Sequence, residues 1–282
     1  LGITGAGDLH SRRYFLAASD EGNHPVNLLQ KLISALGLGL CLVGAARGLP
    51  LPESPPVRTT DVAPAPLAFG ATSEAQAALV DPLRRGLWPL ACTRATAALA
   101  GAQPMVEALG IFALCAALHG DAEALGRAQQ RLKEAEASPY YAILAQSVAA
   151  LRATQTSRAL AGLQGLLATH PADGLTRYFL GEAEYTAGDE AAARQSFSAA
   201  LTAWPLHAPA MMALSQLEAG GEASEAALAR AIALMEQATK IDPGNRTYWQ
   251  WLAALCERAG QTGRAQAIAL QRLQAWQPPA PR

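Results

Sequence analysis

Pro171 and Pro205 each close a helical run of apolar residues, and the interval between them, ~34 residues, constrains what this chain can fold into. A fixed period of this length means that one supersecondary unit recurs and buries its apolar face only against its neighbours. With Gly174 as position 1, the unit has Leu180 and Gly181 at positions 7 and 8, and Ala193 at 20. Phe197, Ala200 and Pro205 follow at 24, 27 and 32. One period earlier, Ile143, Ala159, Leu163 and Pro171 fall at 4, 20, 24 and 32. The next unit opens with Met211 and Leu214, takes four extra residues around Gly220 and Gly221, and closes with Ala231, Met235, Ala238 and Pro243. A fourth carries Trp249, Leu252, Ala253 and Ala265. Position 8 is small each time (Ser147, Gly181, Ser215, Ala253), and so is position 20 (Ala159, Ala193, Ala231, Ala265). Small residues are needed where two antiparallel helices cross closely, bulky ones fill the space beside the crossing, and proline stops the second helix. Apolar residues make up 51% of the chain but aromatics only 6%, because alanine, the best helix former, supplies much of the count. The expected fold class is therefore all-α.

Residues 140–277 resemble the tetratricopeptide repeat family. The unit at 174 matches six of the eight positions of that pattern, lacking the early aromatic at 4 and the tyrosine at 11, where Tyr185 sits one place late. The resemblance implies four repeats, 140–173, 174–207, 208–245 and 246–277, stacked into a right-handed α-solenoid. Residues 71–139 read as a helical cap, with Pro82 and Pro89 breaking its first pair, followed by a degenerate repeat from Met105 to Ala137. Its Gly120-Asp121 turn mimics Gly188-Asp189.

Such arrays bind peptides or helices in a concave groove lined by the first helix of each pair. Carried over position by position, the groove residues are Tyr141, Leu144, Arg152, Tyr178, Glu182, Tyr185, Met212, Gln216, Gln250, Glu257 and Arg258, with Val148, Leu151 and Leu175 among them. The family members that clamp a partner's terminal carboxylate have Lys and Asn at positions 5 and 9. Position 5 here is Leu144, Tyr178, Met212 and Gln250, so the expected partner is an apolar or amphipathic polypeptide segment. Some of these side chains are equally expected to pack within the array.

Residues 1–70 read differently. Leu32 to Ala46 is a run without any charge, preceded by Lys31 and followed by Arg47. As a helix it spans roughly 22 Å against the ~30 Å hydrocarbon core. A basic residue, a short apolar stretch and small residues at its end match a secretory signal peptide over 26–47. With Leu28 and Leu29 added, a tilted membrane anchor is the alternative. A buried core helix is the third reading, disfavoured by Gly37, Gly39 and Gly44. The first methionine is Met105, so residue 1 marks either a fragment or a non-AUG start, with Leu1 and Val26 as candidates; residues 1–25 are an unassigned leader. Residues 48–70 contain six of the 18 prolines and read as an extended linker. This layout is similar to that of anchored periplasmic repeat proteins of bacterial cytochrome c maturation, pilus or envelope assembly. A cytoplasmic regulator, or an accessory domain of an enzyme or transport machine, is the alternative.

Catalytic signatures are missing. There is no G-x-S-x-G, H-E-x-x-H or G-x-x-x-x-G-K-[ST]. Cys41, Cys92, Cys115 and Cys256 form no C-x-x-C pair, so neither a zinc site nor a dense disulfide framework is indicated. His170 and His207 fall at turns between units, where solvent exposure is expected, and Glu182 and Glu184 face different sides of one helix. A net charge of −1 argues against nucleic acid as partner. No cofactor or metal is expected. Leu270, Leu273 and Trp276, at the end of the last unit, are candidates for self-association.

Overall fold

The computed structural model describes residues 73–101 and 105–268, and every regular element among them is an α-helix. Twelve follow in sequence: α1 (Glu74–Arg85), α2 (Trp88–Leu99), α3 (Val106–His119), α4 (Ala122–Glu134), α5 (Pro139–Arg152), α6 (Thr156–Thr169), α7 (Gly174–Thr186), α8 (Glu190–Ala203), α9 (Ala208–Glu218), α10 (Glu225–Ile241), α11 (Arg246–Arg258) and α12 (Thr262–Ile268). Except at the α4–α5 junction, where α5 packs chiefly on α3, each helix packs mainly on its neighbours in sequence. The expected leader, apolar segment and linker (1–70), and Leu270, Leu273 and Trp276, lie outside the described residues.

The hairpin turns share one device. Gly86, Gly120, Thr154 and Gly188 all have positive φ, and each stands one full repeat interval after the last. After each, the next N–H donates to a carbonyl five residues back: Leu87 to Pro82, Asp121 to Ala116, Gln155 to Ala150, Asp189 to Glu184. This closure satisfies helix-end carbonyls that would otherwise be orphaned. Asp121 and Asp189 then cap the following helices by accepting from the N–H of Ala124 and Ala192. The period visible in the sequence from residue 140 thus extends, at the level of turns, back to Gly86.

Pro82 does not break the first helix; α1 runs through it. Proline donates no hydrogen bond to the carbonyl four residues earlier, here that of Ala78. Arg94 of α2 supplies the missing donor, its Nη1 lying 2.6 Å from the Ala78 oxygen. Pro89 sits in the first turn of α2, where its missing N–H costs nothing.

All residues of α3 from Val106 to Ala117 are buried. A helix apolar on every side must be enclosed. Around α3 lie α1, α2, α4 and α5, and Cys92 of α2 is joined to Cys115 of α3 by a disulfide. The spacing of these cysteines in the sequence carries no sign of the bond. It arises because α2 returns alongside α3, a pairing that no local motif encodes.

Small residues set the close approaches. A Cβ on Gly110 would lie 2.2 Å from the Tyr141 ring, and one on Gly181 would lie 2.7 Å from Phe197. One apolar cluster runs from Leu79 to Leu217, and a second gathers α9 to α12 around Met211, Met235, Leu252 and Leu255. Helix α9 contributes side chains to both.

Candidate functional site: the seam between the first hairpin and helices α7 and α9

The residues projected onto a groove divide by burial. Tyr141, Leu144, Val148, Leu151, Leu175, Tyr178 and Met212 are buried. Arg152, Glu182, Tyr185 and Gln216 are partly buried, and Gln250, Glu257 and Arg258 are exposed. Three of them meet. The Tyr178 hydroxyl donates to Glu182 Oε1 at 2.6 Å, and Arg152 Nη2 reaches Glu182 Oε2 at 3.2 Å. Arg152 ends α5 and Glu182 lies in α7, so the pair ties two helix pairs together. Burial, and then the neighbouring Glu182 carboxylate, raise the Tyr178 hydroxyl well above its ordinary pKa. Arg258 donates instead to the backbone carbonyls of Ala219 and Gly221. Glu184 faces elsewhere, accepting from Ser196 Oγ at 2.6 Å.

What covers Tyr178 comes from the far end of the described chain. Trp88, the first residue of α2, stacks at 6.3 Å from Tyr178, 5.8 Å from Phe179 and 5.8 Å from His207. Tyr178 lies 4.6 Å from His207, and Phe197 and Trp204 complete the cluster. One residue before the corner, Arg85 Nη2 lies 3.3 Å from the carbonyl of Ile241, the last residue of α10. A helix C-terminus carries unsatisfied carbonyls and the negative end of the dipole, so a guanidinium is well placed there. Gly86 is required at the corner: its φ is +72° and a Cβ there would lie 2.1 Å from Pro209.

His207 is 1% exposed, which corrects the expectation of solvent exposure at that turn. The backbone bends there, but the imidazole turns inward, and its Nδ1 accepts from the Ala210 N–H at 3.3 Å. That assigns the remaining proton to Nε2, which is buried and has no hydrogen-bond partner among the described residues. Desolvation lowers the pKa of His207 to about 3.

A second buried polar junction is structural. Asp173 is fully buried ahead of α7, where it accepts from the Tyr140 hydroxyl at 2.6 Å, the Leu175 N–H at 3.0 Å and the Thr176 hydroxyl. It caps α7 and fastens α5 to it. Among the described residues no cluster of His, Cys, Asp and Glu has the arrangement of a metal site.

Sequence reasoning locates Arg152, Tyr178 and Glu182 but misses Gly86, Trp88, His207 and the disulfide. The available signal is Gly86-Leu87-Trp88-Pro89, a turn with an aromatic at its exit, in step with Gly120 and Gly188. No protein-family model and no curated protein matches the chain.

Proposed function

We propose that this chain is a non-enzymatic adaptor: an α-solenoid of the tetratricopeptide type that holds a polypeptide partner on the seam formed by the first helices of its pairs. The observation that carries the reading is the seating of Trp88 on Tyr178, Phe179 and His207. A segment of polypeptide already docks on that surface, by aromatic stacking and a guanidinium on a helix end. An aromatic anchor in an apolar cleft is the usual way such surfaces take a peptide. The non-enzymatic part of the proposal is supported by two largely buried polar sets, Tyr178–Glu182–Arg152 at the seam and Tyr140–Asp173–Thr176 beside it, whose members bond to one another.

The adaptor works outside the cytoplasm, exported or anchored through residues 26–47. The Cys92–Cys115 disulfide supports this, because such bonds persist in oxidising compartments. No helix among the described residues is long and apolar enough to cross a membrane.

The test is photocrosslinking in the native host. A photoreactive side chain at Gln250 or Glu257, both exposed on α11, is expected to trap one partner. The same group at Gln195, exposed on α8, is expected to trap none. Equal labelling at all three positions, or none at any, overturns the reading.

A further inference from the structure

The corner of the α1–α2 hairpin touches elements that are not its neighbours in sequence. A regular helix pair touches the pair beside it. This one reaches past α5 and α6 to α7, to the turn before α9 and to the end of α10. Three features make its contact specific: the Arg85 guanidinium on the Ile241 carbonyl, the Gly86 backbone against Pro209, and the Trp88 indole over the aromatic cluster.

The contact is also incompletely satisfied. His207 Nε2 faces Gly86, at 3.4 Å from where its Cβ would be, and is unpaired among the described residues. Arg84 Nε, beside Arg85 in α1, is buried and unpaired there as well. Well-built interiors leave few such groups, and elements that open are drawn from the least satisfied contacts.

One covalent bond opposes that exchange. Trp88 and Cys92 are four residues apart on α2 and so share a face. The Cys92–Cys115 bond fixes that face to α3 one turn away from the indole.

Resting on the adaptor reading above, we propose that Arg85-Gly86-Leu87-Trp88 is a resident ligand. It closes in cis a site for a partner segment of the same chemistry, an arginine followed by glycine and, two residues on, a tryptophan. The disulfide keeps the corner seated. A dithiol reductant delivers two electrons and two protons to the sulfurs, becomes a disulfide itself, and frees the turn that carries Trp88.

The probe is a fluorescein-labelled peptide of residues 82–91, PLRRGLWPLA, titrated against the full chain by anisotropy. The oxidised chain is expected to bind it weakly. The dithiothreitol-reduced chain and the Cys92→Ser/Cys115→Ser variant are expected to bind at least about tenfold more tightly. A peptide with alanine in place of its glycine is expected to lose about tenfold or more. Hydrogen exchange in 74–99 is expected to quicken in both opened chains, while that of 156–258 holds. The proposal is overturned if opened chains with an intact helical circular-dichroism signal fail to bind, or if the alanine peptide binds equally. It is also overturned if both opened chains lose that signal, since the hairpin is then an obligatory part of the core. Crosslinks at Gln250 and Glu257 are read separately, so the adaptor reading can survive failure here.

Discussion

The ring of Trp88 stands edge-on to that of His207 with centroids 5.8 Å apart, which sets the turn between the first two helices against the turn that opens the ninth. The most extensive packing among the described residues joins helices close in sequence, and this smaller contact joins turns far apart in the chain. Trp88→Ala is expected to cost about 2 kcal/mol, less than a fully buried tryptophan because its ring is only partly enclosed. Urea unfolding measures the loss, and hydrogen exchange should place its largest effect in α1 and α2.

Tyr178→Phe keeps the ring stack and removes only the hydroxyl that donates to Glu182. A hydrogen bond to a carboxylate in a largely buried setting contributes about 1.5–3 kcal/mol. Denaturant unfolding should show a loss of that size, and an unchanged stability would mean that water replaces the hydroxyl.

Two pairs of glycines should respond with opposite sign. Gly126 and Gly165 lie inside helices α4 and α6 with nothing within 4 Å of a Cβ placed there. Alanine at either should stabilise by about 0.5–1 kcal/mol through helix propensity and a less flexible unfolded chain. Gly110→Ala and Gly181→Ala push a methyl into Tyr141 and Phe197 and should cost about 1–3 kcal/mol. Thermal melting of the four variants decides it, and equal effects would mean that the helix pairs do not approach as closely as described.

Burial lowers His207 to about 3, below its unfolded value near 6.5. Between those values the unfolded chain binds a proton that the folded chain refuses, so stability falls as pH drops from about 6 toward 3. The slope from this group is about 1.4 kcal/mol per pH unit. Glu184 acts in the opposite sense, because burial raises its carboxyl and the folded chain holds that proton more tightly. Comparing wild type with His207→Gln from about pH 7 to about pH 4 isolates the histidine. Parallel curves would show that the imidazole is hydrated.

Removing the Cys92–Cys115 bond by double serine substitution should destabilise the chain by about 3 kcal/mol, from the entropy the cross-link takes out of the unfolded state. Calorimetry in the absence of reductant measures it. No change would mean that the two thiols are free in solution.

The alanine-rich composition and the interval between Pro171 and Pro205 determined that the chain is helical and where small residues recur, while Arg152, Tyr178 and Glu182 were named as first-helix positions through the family resemblance. These are local matters: propensity, turn chemistry and period act over short stretches of chain and leave a pattern that can be counted. Gly120-Asp121 and Gly188-Asp189 were legible as matching turns for the same reason. The seating of Trp88 on His207, the burial of an imidazole at a turn, the rescue of the Ala78 carbonyl by Arg94 and the cysteine pairing were decided only by the tertiary fold. Each depends on where a hairpin swings relative to helices far along the chain. That direction is set by the summed packing of many side chains, so no single residue type at a single spacing records it.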